Sequence, residues 1–188
     1  MKKILIVGAG AMGAAFSIPL LDNGHSVTLT EPYNFKLLQK LSLKKKIHPS
    51  LNINLPKKLK INKFSSDILD RKWDLIVIAV SSIGIDLIGK NLSKIKNKSP
   101  ILVLTKGLKL DGRNLISMSS LLRTYNKNLN ISVLKGPCLA KELARKVKSF
   151  TVVANKNINT AKKIGKLIST NYYQTEFSRD VNGVEFLS

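Results

Sequence analysis

The chain has 188 residues, enough for one full domain with a sizeable core and too few for two ordinary domains. Hydrophobic residues make up 44%, and no uninterrupted apolar run reaches membrane-spanning length, so a globular protein with no membrane partner is expected. The net charge of +21, from 32 Lys and Arg against 11 Asp and Glu, is spread along the chain with few interleaved aromatics; composition bias accounts for it better than a nucleic-acid partner, although the field still draws anionic ligands.

The first thirteen residues carry the strongest signal. Lys2-Lys3, then Ile4-Leu5-Ile6-Val7, then Gly8-Ala9-Gly10-Ala11-Met12-Gly13 reads as a buried parallel strand turning tightly into a helix. Gly8 permits the turn, Gly10 admits a pyrophosphate close to the backbone, and Gly13 lets the helix pack on the strand. The free N–H groups and positive helix end at residues 11–13 then face the phosphates. The same stretch imitates a secretory signal peptide, but the glycine spacing and the immediate return to a strand argue that it stays in the protein. Ala11, Ala14, Ala15, Ile18 and Leu21 fall on one helical face, Pro19 removes a hydrogen bond, and Asn23-Gly24 stops the helix. Ser26 to Thr30 is a second strand. Glu31 follows it, at the spacing where a carboxylate takes the adenosine ribose hydroxyls of NAD.

Residues 34–47 suggest an amphipathic helix, and His48 to Pro56 is a proline-bracketed loop. Neither His25 nor His48 has a base partner visible in the sequence, and both are read as structural. Leu59 to Phe64 is a short strand, with Ser65 or Ser66 capping a brief helix through Leu69. Trp73 to Val80 is a central strand, and Ser81 at its carboxyl end either lines the cofactor cleft or caps the helix over Ile83 to Ile95. Strand Ile101 to Thr105 leads into Lys106-Gly107, a place where a lysine holds a phosphate or polarises a carbonyl. A helix over 114–124 and a strand over Ile131 to Leu134 follow. Then comes Gly136-Pro137-Cys138, opening a helix expected to bury Leu139, Leu143 and Val147. Cys138, the single cysteine, excludes an internal disulfide framework and fits a reducing cytoplasm; at a helix N-terminus its thiol pKa is expected to fall. Strand Phe150 to Ala154, helix Thr160 to Ile168 with Ala161, Ile164, Gly165 and Ile168 inward, and strand Tyr172 to Phe177 complete an α/β, Rossmann-like, doubly wound and mostly parallel sheet. Asp180 caps a last helix.

The glycine loop, the loop from His48 to Pro56, Thr105-Lys106-Gly107-Leu108, Gly136-Pro137-Cys138-Leu139-Ala140-Lys141-Glu142 and Gly183-Val184-Glu185 together resemble NAD(P)-dependent glycerol-3-phosphate dehydrogenase, in that family's order and across the whole chain. The resemblance implies hydride transfer between the cofactor and sn-glycerol 3-phosphate or dihydroxyacetone phosphate, in a cytoplasmic enzyme that supplies a phospholipid precursor and whose full-length form is a candidate homodimer. By position it implies that Gly8, Gly10, Ala11, Met12 and Gly13 cradle the pyrophosphate and that Ala140 contacts the cofactor. Lys106 then touches cofactor and substrate, and Gly136 with Cys138 the substrate; no metal site is expected.

Three departures from the family pattern stand out. The family's principal catalytic lysine lies a few residues beyond Gly-Val-Glu, past Ser188, as does the helical second domain. Residues 1–180 are therefore expected to form the dinucleotide domain and 181–188 to begin the helix toward the second, the chain alone binding cofactor and catalysing poorly or not at all. Lys135 stands where a small residue is usual and either helps hold a phosphate or obstructs the cleft. Cys138 stands where Ser or Thr is frequent. Glu31 favours NAD over NADP, whose 2′-phosphate it repels. Two other readings remain open: a non-catalytic NAD-binding remnant or sensor, and a related two-domain reductase such as ketopantoate reductase.

Overall fold

The computed structural model describes residues 1–43, 46–96 and 98–187. The opening unit is β1 (Lys3–Val7), α1 (Ala11–Asp22) and β2 (Ser26–Glu31). It is followed by α2 (Phe35–Leu41), a small antiparallel pair β3 (Ile47–His48) and β4 (Ile53–Asn54), and β5 (Lys60–Lys63). Next come α3 (Ser66–Asp70), β6 (Leu75–Ile78), a 3-10 turn (Ser82–Gly84), α4 (Ile85–Leu92) and β7 (Ile101–Val103). A hairpin of β8 (Leu108–Asp111) and β9 (Asn114–Ser117) leads to α5 (Met118–Tyr125). The chain continues through β10 (Ile131–Lys135), α6 (Ala140–Ala144), β11 (Ser149–Ala154), α7 (Ile158–Ile168), β12 (Tyr173–Ser178) and α8 (Val181–Phe186).

Eight strands form one sheet in the order β12-β11-β10-β7-β6-β1-β2-β5, with every pair parallel except β10 with β11. The two central strands are apolar because both faces are covered: Ile4 to Val7 and Leu75 to Ile78 are fully buried. One face packs Ile4, Ile6, Leu29 and Leu102 against Ala14, Phe16, Leu20 and the α7 residues Ala161, Ile164 and Ile168. The opposite face packs Leu5, Val7, Ile76 and Val103 against Ile85, Ile88, Met118, Leu122 and Val181. This is the doubly wound α/β architecture expected. Among the described residues no helix is long and apolar enough to cross a membrane.

Several local expectations change. Gly13 through Leu20 are all buried, so α1 has no solvent face; α6 and α7 pack over the side that a simple amphipathic pattern leaves open. The helix expected over 34–47 ends at Leu41, with Ser42 as its C-cap, and Ile47 is in a strand; residues 44 and 45 of that span lie outside the described residues, as does Ser188. The helix expected over 114–124 begins at Met118, because Leu108 to Ser117 pair as a hairpin around Gly112, whose φ of +60° suits a tight reversal. Of the three residues expected to be buried after Gly136-Pro137 only Leu143 is, Leu139 and Val147 being exposed, and the helix is five residues long. For α7 and α8 the expectations hold, including the Asp180 side chain accepting the Gly183 N–H at 2.8 Å.

The tightest joint is between α1 and the end of β1, where a Cβ on Gly13 would run into the Gly8 carbonyl oxygen. Gly13→Ala is therefore expected to destabilise the fold by about 2–4 kcal/mol. Urea unfolding followed by circular dichroism measures this, and an unchanged midpoint would show that the joint has room to give.

Candidate functional site

The sheet reverses its winding between β1 and β6, and the crevice at the carboxyl ends of these strands is where ligands gather in open α/β sheets. Gly8 makes the turn out of β1 with φ +110°, and a Cβ there would come within 2.6 Å of the Ala79 carbonyl beyond β6. The next peptide is held from two directions. The Ala9 N–H donates to Glu31 Oε2 at 2.7 Å, and the Ala9 carbonyl accepts from His48 Nε2 at 2.9 Å. Leu51 N–H donates to His48 Nδ1 at 3.3 Å, which places the His48 proton on Nε2.

Beyond this clamp the loop is open. Gly10 is the N-cap of α1 and so offers no side-chain cap, and a Cβ built on it meets nothing within 4 Å. The first turn of a helix has N–H groups with no intrahelical acceptor, here those of Ala11, Met12 and Gly13. Open space over Gly10 beside uncapped donors fits a pyrophosphate.

Glu31 ends β2 and is buried, with more engagements than the sequence suggests. Besides the Ala9 bond, Oε1 accepts Tyr33 N–H at 2.8 Å and Asn34 N–H at 3.2 Å. One lone-pair site on Oε2 remains for a further donor. Tyr33, which the sequence reading passed over, reaches from this corner to the turn after β6, its hydroxyl donating to the Gly84 carbonyl at 2.6 Å. Ser81 is exposed at the carboxyl end of β6 and makes no side-chain capping bond, so the capping alternative finds no hydrogen bond.

On the other side of the switch point, Lys106 follows β7 and is exposed. It lines a cavity of about 560 Å³ with Lys135, Gly136, Val152, Asp180 and Gly183. A narrow gap lined by Met12, Lys106, Lys135, Gly136 and Cys138 joins this corner to the glycine loop. The structure thus brings Met12, Lys106, Gly136 and Cys138 together, whereas Glu31, Ser81 and Ala140 line neither space.

Lys135 is the largest surprise of the site. The residue is 4% exposed, and its Nζ donates to the Thr105 carbonyl, one residue before Lys106. Burial pushes its ammonium down to about 8, with Glu185 opposing the shift and Lys106 adding to it. Cys138 also corrects an expectation: burial pushes its thiol up, since a helix of five residues has too little dipole to oppose desolvation. Glu185 is buried as well, accepting from Ser117 Oγ at 2.7 Å, from Ser119 Oγ and from Ser119 N–H at 3.1 Å, and so fastens α8 over the cavity.

Comparison with known proteins gives this geometry a family. Residues 3–161 match the model of the NAD-dependent glycerol-3-phosphate dehydrogenase N-terminus. A glycerol-3-phosphate dehydrogenase (NAD(P)+) of Leptospira biflexa serovar Patoc is 33% identical over 189 residues, covering 97% of this chain and 55% of the relative. The NADP(+)-dependent glycerol-3-phosphate dehydrogenase of Archaeoglobus fulgidus is 25% identical, covering 98% of this chain and 56% of its own. Among solved structures, glycerol-3-phosphate dehydrogenase from Coxiella burnetii superposes with a TM-score of 0.84 at 24% identity, over 98% of this chain and 56% of that one, a likeness of fold. The chain spans about 55% of the length of the curated relatives it matches. It belongs to the NAD-dependent glycerol-3-phosphate dehydrogenase family, and what it matches is that family's N-terminal, NAD-binding part.

Proposed function

We propose that this chain holds NAD(H) along the carboxyl edge of its sheet as the cofactor-binding part of a glycerol-3-phosphate dehydrogenase. The open space over Gly10 at the uncapped start of α1 carries the reading. In this assignment Gly8, Gly10, Ala11, Met12 and Gly13 receive the pyrophosphate, Glu31 a ribose hydroxyl through its remaining lone pair, and Ser81 and Ala140 flank the cofactor. Lys106 faces both cofactor and substrate, while Gly136 and Cys138 border the substrate. Family membership favours this over a ketopantoate reductase. The substrate pair is sn-glycerol 3-phosphate and dihydroxyacetone phosphate, a small-molecule phosphate, and the bound nicotinamide supplies the hydride chemistry.

This chain's own contribution to that chemistry is electrostatic. A ketone oxygen gaining negative charge is stabilised by a cation held nearby, and Lys106 is exposed to the cavity for that purpose. Residues 1–180 act as the dinucleotide domain, with α8 leading toward the remainder of a longer enzyme. The chain spans about 55% of the length of its curated relatives, and in this reading catalysis also draws on the part of such an enzyme that it does not span. A cytoplasmic setting and a role in supplying phospholipid precursors accompany the assignment.

Three measurements test this reading. Gly10→Ala adds a methyl where the pyrophosphate approaches and is expected to weaken NADH binding about tenfold or more while leaving the unfolding midpoint unchanged. Equal affinity by NADH fluorescence titration would remove the loop from the cofactor site. The buried carboxylate of Glu31 repels a 2′-phosphate, so NADPH is expected to bind about tenfold more weakly than NADH; comparable dissociation constants would sink the NAD preference. Finally, the chain mixed with NADH and dihydroxyacetone phosphate is expected to lose no 340 nm absorbance beyond the blank, and sustained loss would show that the assignment of catalysis elsewhere is wrong.

A further inference from the structure

An ammonium has three donors, and Lys135, a buried residue, gives one of them to the Thr105 carbonyl. Among the described residues neither Lys135 nor Lys106 is in an ion pair. The nearby carboxylates make their hydrogen bonds to other groups, Glu185 to Ser117 and Ser119 and Asp180 to the Gly183 N–H, while the Glu185 charge still acts on Lys135. Two lysines therefore line one cavity outside any ion pair among the described residues, with Asp180 on the same wall and Glu185 acting on Lys135 from α8. The Lys135 charge is buried with one hydrogen bond and the Glu185 carboxylate to offset it, and an anion placed between it and the exposed Lys106 lowers that cost.

We infer that Lys135 and Lys106 together form an anion site at the carboxyl ends of β10 and β7, and that it takes a small phosphomonoester dianion. The inference rests on reading this cavity as the substrate end of the cofactor cleft, and it adds a binding residue, Lys135, that the family resemblance does not supply. Lys135 is a specificity device: it donates its remaining N–H groups to phosphate oxygens, while the Thr105 carbonyl fixes the direction of its side chain. Binding also depends on pH. The groups facing the Lys135 amine are Lys106 after β7, Glu185 on α8, Asp180 at the α8 cap and Cys138 across the narrow gap. With burial holding the ammonium down to about 8, the cation is lost at mildly alkaline pH.

The test is calorimetric titration of the whole chain with methyl phosphate, which is dianionic above a second pKa of about 6. The wild-type chain is expected to bind at pH 7.5, and Lys135→Met and Lys106→Met are each expected to weaken binding about tenfold or more. Lys162→Met, an exposed lysine of α7, serves as the charge control and leaves it unchanged. Lys135→Arg keeps its proton and is expected to bind at pH 9, where the wild-type chain has lost most of its affinity. No binding by the wild-type chain, or equal affinity in Lys135→Met, overturns the inference. If Lys135→Met fails to fold by circular dichroism, the pH profiles of wild type and Lys135→Arg decide: coincident profiles overturn it. A parallel NADH titration separates the two readings, since NADH bound without methyl phosphate removes only the anion site, and methyl phosphate bound without NADH removes only the cofactor assignment.

Discussion

The Ala9 peptide, gripped on its N–H by Glu31 and on its carbonyl by His48, is the constraint on which the site depends. A glycine-rich loop has the freedom to approach a ligand and the same freedom to wander. Fixing one non-glycine peptide in its middle removes most of that freedom without filling the space over Gly10. Both gripping side chains are buried, so neither bond competes with water, and both come from outside the loop, from the end of β2 and from the β3 hairpin. The loop from His48 to Pro56 is thus part of the support of the glycine loop. Its role is to deliver one imidazole N–H to one carbonyl.

The opposite half of the cleft is organised by charge. The +21 of the whole chain lies mainly on solvated lysines, whose contribution is long-ranged and screened. Lys135 differs because the protein interior surrounds it, and the same charge acts there with far less screening. The geometry depends on α8, which Glu185 fastens to the β9–α5 junction and which supplies Gly183 and Val184 to the cavity wall. A single buried carboxylate thereby shapes the wall of the cavity, and from there its charge acts on Lys135.

How legible the molecule was in its sequence follows from the range of the forces involved. The strand-loop-helix-strand opening, the buried strand at Trp73 to Val80 and the inward face of α7 rest on local periodicity and turn chemistry, and these hold in the structure. The hairpin from Leu108 to Ser117 left a trace in Asp111-Gly112, but its apolar residues imitate a helix start. Covering α1 with α6 and α7, and engaging Glu31 and His48 with a peptide 22 and 39 residues away, are tertiary events that no window along the chain contains. For Cys138 the sequence argument chose the wrong competitor, helix dipole over burial, because it could not see how short α6 is. Lys135 was visible as an odd residue at a motif position. That it is interior, and therefore potent, was not.

That interior lysine ties binding to stability with a definite sign. Its folded-state pKa of about 8 lies below the unfolded value of 10.5, so at pH above 10.5 the amine is neutral in both states and burial carries no charge penalty. As pH falls from 10.5 to about 8 the unfolded chain takes up the proton first, and the fold loses stability; below about 8 the full penalty is present. At neutral pH the buried Lys135 charge is thus held in a disfavoured electrostatic state by the packing of β7, β10 and α8 around it. A dianion between Lys135 and Lys106 reverses the balance, since it raises the lysine pKa toward its unfolded value and recovers the lost stability as binding energy. The residue that weakens the unliganded fold is the one that makes the cavity selective for anions, and the trade is possible because the apolar faces of the central strands hold the sheet together independently of it.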